Sequence, residues 1–366
     1  MAEDTKMKTK GRVLSGMRPT GKLHLGHYVG ALQNWVRLQE QYQCFFFVAD
    51  WHALTTDYAD TKRVKTSSIE IATDWLAAGL DPAKSTLFIQ SHVPQHAELH
   101  LLFSMVTPLG WLERVPTYKE QRENIKDKDL GTYGFLGYPL LQSADILIYQ
   151  ADFVPVGEDQ VPHVELTREV ARRFNQFYWL PEGRPGVKDP DTDRVYVFPE
   201  PQPLLTPAAK LPGTDGRKMS KSYGNAVLLS DPEPAVRQKL KTMVTDPARV
   251  RRTDPGNPDV CPVGDLHKIF SDKETLAWVD AGCRTAGIGC IECKNRATDH
   301  LMKVLAPMQE RRRPYEENPK MVWDILEAGS DKARVVAEHT MELAREAANL
   351  SHEYEAPLVN SVEGGK

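Results

Sequence analysis

The chain has 366 residues, with 46 Lys+Arg, 50 Asp+Glu, a net charge of −4 and 41% hydrophobic residues. It is long enough for two or three domains with buried cores and too apolar for a disordered chain, and its charge excludes a uniformly basic nucleic-acid binder while allowing a local basic face. Five cysteines are too few for a disulfide scaffold of this length. No apolar run reaches the roughly 18 residues of a membrane span, and the polar lead Met1–Arg12 lacks a secretory signal's apolar segment, so a soluble cytoplasmic protein is expected.

Residues 1–10 read as a disordered lead. Arg12–Gly16 then reads as a short buried strand, followed by a turn over Gly16–Gly21. A helix opens at His24-Leu-Gly-His27 and continues through Leu32, Trp35, Val36 and Leu38 at roughly helical spacing. Cys44–Ala49 is an apolar run of strand length, a helix follows over Ser67–Gly79, and Thr86–Ile89 is a further strand. Strands apolar on both faces, alternating with helices, predict an α/β fold with a parallel, helix-covered sheet. Leu180–Gly216, rich in Pro and Gly, reads as loops with at most short strands. Beyond Asp231 the spacing is helical: Leu301, Val304, Leu305 and Met308 mark one helix, and Val336, Ala337, Thr340, Leu343 and Ala344 another, after a start signal at Gly329-Ser330.

Strand, glycine turn and helix start together make an anion site, because free backbone N–H groups and the helix dipole favour negative charge there. The spacing at Pro19–His27 is that of neither a dinucleotide fingerprint nor a Walker loop. His24 and His27 lie three apart on one helical face, with Gly26 leaving room for a flat ligand to approach. Capping or surface histidines, or a metal pair, remain open for that motif alone. About 190 residues on stands a polar loop, Lys218-Met-Ser-Lys221-Ser222.

The two motifs, in this order on an α/β frame, resemble the signature pair of the class I aminoacyl-tRNA synthetases. Asp50-Trp-His52, Val156-Gly157-Glu-Asp159-Gln160 and His163–Arg168 narrow the resemblance to the tryptophanyl-tRNA synthetase family, over about Val13 to Leu350. The resemblance implies a Rossmann-type nucleotide-binding catalytic domain over 11–230 with a connecting insertion at roughly 93–200. It further implies a helical tRNA-anticodon domain over 231–356, a tail at 357–366 and a homodimer. The implied reaction joins ATP and L-tryptophan to tryptophanyl-adenylate, which then esterifies tRNA(Trp), with Mg²⁺ accompanying ATP. Catalytic roles fall to His24, His27, Lys218 and Lys221. ATP contacts fall to Gly16, Met17, Arg18, Pro19, Thr20, Gly26, His27, Gly157, Glu158 and Asp159, and to Lys218, Met219, Ser220, Lys221 and Ser222 of the loop.

The amino-acid pocket has an argument of its own. Tyr138, Gln142 and Asp145 fall at i, i+4 and i+7, so one helix face carries a hydroxyl, an amide and a carboxylate among apolar neighbours. An amphiphilic aromatic ligand would satisfy such a buried stripe. By resemblance, Asp145 accepts the indole N–H, Tyr138 and Gln160 hold the α-ammonium, His52 and Gln142 lie beside the substrate, and Leu14, Val154 and Val156 line the ring slot. The alternatives are a tyrosyl-tRNA synthetase, which has the same fold, and an inactive synthetase-like binding module.

Cys261, Cys283, Cys290 and Cys293 cluster late, two of them as C-x-x-C, while Cys44 stands alone as a core residue. Four such thiols suit zinc or a [4Fe–4S] cluster, with free thiols the remaining reading. The quartet resembles that of a bacterial subset of the family that binds [4Fe–4S], whose first interval is one residue longer. Ala209–Arg252 holds ten Lys/Arg against four Asp/Glu and ends in Arg249-Val-Arg-Arg252, a stretch suited to tRNA phosphates.

Overall fold

The computed structural model describes residues 10–124, 128–206 and 211–350. The tail at 357–366 and all but Lys10 of the expected lead lie outside the described residues.

Five parallel strands form the central sheet: β1 (Arg12–Met17), β2 (Gln43–Val48), β3 (Ser85–Ile89), β4 (Phe153–Val156) and β7 (Gln202–Leu205), in the order β3-β2-β1-β4-β7. Strands β5 (Val187–Lys188) and β6 (Val195–Tyr196) make a separate antiparallel pair. Helices cover both sheet faces, so a wholly apolar strand divides its side chains between two cores. In β2, Phe45 and Phe47 enter one core, whereas Cys44, Phe46 and Val48 enter the other. Strand β4 pairs with β1, although it falls within the segment expected to be an insertion. The excursion over 93–200 is therefore two excursions, one on each side of a catalytic-sheet strand.

The last helix departs from the start expected at Gly329-Ser330. Cys290–Glu317 is one helix that carries Pro307 and Pro314 inside it, and Pro319–Ala347 is another. Gly329 and Ser330 sit mid-helix rather than at a start. The reason is packing: a Cβ on Gly329 would come within 1.8 Å of the Leu87 carbonyl oxygen of β3. Beside it, Ser330 Oγ accepts the Ile89 N–H at 3.3 Å. These helices share the catalytic unit's cores: Leu305 and Leu326 join β2 residues on one face, and Ala333, Ala337 and Met341 pack on the other. Among the described residues no helix is long and apolar enough to cross a membrane.

Candidate active site

Connections leave β1 and β4 toward opposite directions along the sheet, and at such a switch point a crevice opens at the strands' carboxyl ends. A cavity of ≈ 400 Å³ occupies it, with walls from Leu14–Arg18 of β1 and Val154–Gly157 of β4. All eight residues expected around tryptophan line this cavity: Leu14, His52, Tyr138, Gln142, Asp145, Val154, Val156 and Gln160. Helix Tyr133–Ile148 presents Tyr138, Gln142 and Asp145 to it along one face, as their spacing predicts.

Asp145 is 1% exposed and bonded to three protein donors. Its Oδ2 lies 2.7 Å from His52 Nε2, and its Oδ1 lies 2.7 Å from both Gln90 Nε2 and His96 Nδ1. Burial alone would raise its pKa, but the hydrogen bonds from His52 and His96 oppose that, and the carboxyl lies well below its ordinary range. Tyr138 Oη meets Thr117 Oγ1 at 2.9 Å, and Thr117 Oγ1 meets His163 Nε2 at 2.6 Å. Burial lowers His163 to about 4. Gln90, His96 and Thr117 escape sequence reading because each lies on another element, brought in only by the fold, whereas Tyr149 ends the helix of Asp145 and helical spacing could have found it.

His24 and His27 cap their own helix. His24 Nδ1 accepts the Gly26 N–H at 3.1 Å and His27 Nδ1 accepts the His24 N–H at 3.2 Å. The Nε2 atoms therefore carry the ring protons in the neutral form. Burial, then the charges of Lys221 and Lys218, lower His24 to about 4; burial, then His24 and Lys221, lower His27 to about 3. Glycine at position 26 also makes room for His24 itself, whose ring lies 2.9 Å from where a Cβ would stand. The helix widens into a π turn at Tyr28–Leu32, where Gly30 and Ala31 face the cavity.

The lysine loop is joined to this helix start. Lys221 Nζ donates to the Thr20 and Lys22 carbonyls, the latter at 3.0 Å. Ser220 Oγ and Ser222 Oγ lie 2.8 Å apart. The Met219 side chain is 5% exposed and packed in the core, where it anchors the loop. Gly16, Met17, Arg18 and Gly157 line the cavity, whereas Pro19, Thr20, Glu158 and Asp159 lie outside its wall. Gly16 also admits the Phe47 ring, which a Cβ would meet at 2.5 Å. Arg18 is held by Asp57 Oδ2 at 3.0 Å, and Asp159 Oδ2 accepts from Gln160 Nε2 at 2.9 Å.

Elsewhere, Cys261, Cys283, Cys290 and Cys293 line one small cavity together with Arg249. Burial, then the other three thiols, push Cys293 up to about 12. Arg249 is turned inward, 3.9 Å from Cys283 Sγ, so it is not part of a tRNA-facing surface. A histidine does stand against the quartet: His267 Nε2 lies 3.3 Å from Cys293 Sγ. Among the described residues no three His, Cys, Asp or Glu groups converge closely enough to hold a single metal ion.

A parallel sheet with a cavity at its switch point, beside a two-histidine helix start laced to a lysine loop, is the catalytic frame of a class I aminoacyl-tRNA synthetase. Residues 6–306 match the family described as tRNA synthetases class I (W and Y), and the chain belongs to it. It is 52% identical to the tryptophan–tRNA ligase of Ralstonia nicotianae, across 93% of this chain and 99% of that one. It is 54% identical to that of Thermotoga maritima with the same coverage. The tryptophanyl-tRNA synthetase of Campylobacter jejuni, solved with ADP and tryptophan, superposes with a TM-score of 0.79 at 31% identity, covering 93% of this chain and all of that one. Within the family the activity of this chain is tryptophan–tRNA ligation, and its substrates are ATP, tryptophan and tRNA(Trp).

Proposed function

We propose that the cavity between β1 and β4 is the tryptophan site and that the histidine helix start and lysine loop bind the ATP phosphates. Asp145 carries the reading. It is an ionised acceptor on the wall of a cavity whose apolar lining includes Leu14, Val154 and Val156. A carboxylate has about four acceptor positions, and three are taken by protein donors, which leaves one for an indole N–H. Phenylalanine would leave that position unpaired at a cost of about 1–3 kcal/mol. Tyr138 and Gln160, at the other end, supply a hydroxyl and an amide for the α-ammonium.

The tryptophan carboxylate then attacks the α-phosphorus of ATP, pyrophosphate leaves, and no covalent bond to the enzyme is needed. Catalysis is positioning plus charge stabilisation. Being neutral, His24 and His27 act as Nε2–H donors to phosphate oxygens, and the positive charge comes from Lys218 and Lys221. Mg²⁺ would arrive with ATP and neutralise phosphate charge. A hydroxyl of the terminal ribose of tRNA(Trp) then attacks the acyl carbon of the adenylate, the tryptophanyl ester forms and AMP leaves, with Arg251, Arg252 and Lys241 as exposed cations of the basic stretch. ATP–pyrophosphate exchange with tryptophan, tyrosine or no amino acid tests the pocket. Asp145→Ala should weaken tryptophan and leave ATP affinity nearly unchanged; an unaltered tryptophan constant overturns the assignment.

The thiol quartet is read as the site of a [4Fe–4S] cluster. The thiols surround a cavity rather than converge on a point, and the buried Arg249 guanidinium suits an anionic group. Anaerobic purification with iron and sulfide analysis tests this; colourless, zinc-loaded protein refutes it. Leu101, Met105 and Leu109, 55%, 69% and 61% exposed, are read as part of a homodimer face. Met105→Glu should shift sedimentation toward monomer, and an unchanged dimer removes this face from the interface.

A further inference from the structure

Behind Asp145, away from the cavity, a row of buried polar groups continues into the core. His96 is fully buried, and so is Tyr149, at the end of the helix that carries Asp145. His96 Nε2 lies 2.8 Å from Tyr149 Oη, and His96 Nδ1 lies 2.7 Å from Asp145 Oδ1. Phe45, Phe47 and Phe88 close around the two rings.

The directions of these bonds follow from chemistry. Ionised Asp145 only accepts, so His96 Nδ1 carries a proton toward it. Burial, then the Asp145 charge, raise the Tyr149 hydroxyl well above its ordinary range, so it stays an O–H. Among the described residues its hydroxyl bonds only to His96 Nε2, which accepts from it. Tyr149 thereby fixes the His96 tautomer, and His96, with Gln90, saturates Oδ1. The remaining acceptor position belongs to Oδ2, beside His52.

We infer that Tyr149 and His96 are positioning residues that keep Asp145 an ionised, single-position acceptor and so set the preference for a substrate bearing an N–H. The inference rests on the reading of Asp145 as the indole partner. Without the Tyr149 hydroxyl, His96 can take the other tautomer and turn a lone pair toward Asp145. The carboxyl then gains by holding a proton, and it becomes a weaker acceptor for an indole N–H.

The test compares kcat/KM for tryptophan and for benzothienylalanine, whose ring has sulfur in place of the N–H, by ATP–pyrophosphate exchange. Tyr149→Phe, an isosteric change, should narrow the preference for tryptophan about threefold or more at unchanged KM for ATP. His96→Leu should narrow it further, and His96→Asn, which restores an N–H donor toward Asp145, should recover part of it. A preference ratio equal to wild type in both Tyr149→Phe and His96→Leu overturns the inference, whatever happens to stability. Asp145→Asn separates the two readings. If it removes the preference while Tyr149→Phe leaves it intact, only the positioning role fails; if Asp145→Asn also leaves it intact, the indole contact itself fails.

Discussion

The neutral state of His24 and His27 makes a quantitative prediction about acid. In the unfolded chain each histidine takes up a proton near pH 6.5, while in the folded chain burial and the nearby lysines delay this to about 4 and about 3. A folded-state pKa below the unfolded value means that stability is whole above pH 6.5 and falls as pH drops toward the folded values. Between pH 7.5 and 5.5 each ring should cost the fold about 1.4 kcal/mol through proton uptake by the unfolded chain alone. His163 and His267 add to the wild-type loss, since burial also lowers each to about 4. The comparison therefore uses single variants. His24→Asn keeps a helix-capping oxygen and removes the titrating ring. Urea unfolding at the two pH values should show a loss smaller than wild type by about 1.4 kcal/mol in His24→Asn, and likewise in His27→Asn. Activity follows the same logic. The kcat/KM for ATP reports ionisations of the free enzyme, so neither histidine should produce an acid limb between pH 6 and 8. Removing one Nε2–H donor should lower adenylate formation about 100-fold by a factor constant across that range. A ratio of wild type to His24→Asn that titrates near pH 6.5 would refute the neutral-donor reasoning.

Three further outcomes are expected. Lys221→Ala should lower adenylate formation far more than tryptophan affinity, since the charge acts on the leaving pyrophosphate; comparable losses in both would remove its transition-state role. Gly329→Ala should destabilise by about 2–4 kcal/mol in denaturant titration, because the helix must back away from the Leu87 carbonyl, and this outweighs the gain in helix propensity of about 1 kcal/mol. Arg312→Met should destabilise by about 3–5 kcal/mol, leaving Asp74 buried without its cation; a neutral result in thermal unfolding would show that Asp74 is protonated in the native state.

The sequence makes the sheet legible because strands buried on both faces leave no ambiguity: Cys44–Ala49 could only be interior. The polar stripe of the candidate pocket is legible for a related reason. Tyr138, Gln142 and Asp145 share one helix, and helical period alone puts them on one face. Partners on other elements carry no such signal. Gln90 and His96 reach Asp145 from the segment after β3, and no periodicity connects position 90 or 96 with 145. Gly329-Ser330 misled for a physical reason. Glycine before a run of periodic apolar residues is an ordinary helix punctuator, but here it is a contact glycine, and only the neighbouring strand reveals that. Arg249 was read as a surface cation from composition, whereas its guanidinium is drawn inward by the Ile288 carbonyl and the Cys283 sulfur.

The structure also shows how two short motifs so far apart in sequence are tied together. The segment after the lysine loop returns to the histidine helix start as a strand-like partner: His24 bridges Leu228 in antiparallel fashion. The Leu25 N–H donates to Val227 and the Leu229 N–H to Leu23. Lys221 adds its bonds to the Thr20 and Lys22 carbonyls from the opposite side. From a third side, the Leu23 N–H donates to Asp74 Oδ2 at 2.7 Å, and Asp74 is paired with Arg312 of helix Cys290–Glu317. The residue just before His24 is thus bonded to the catalytic loop's own strand and, through one buried ion pair, to the helix that begins at Cys290 and Cys293. The histidine helix start is positioned by the helical region as directly as by the sheet. Among the described residues the C-terminal helices share both cores of the sheet, and the same contacts that bury them also fix the first histidine.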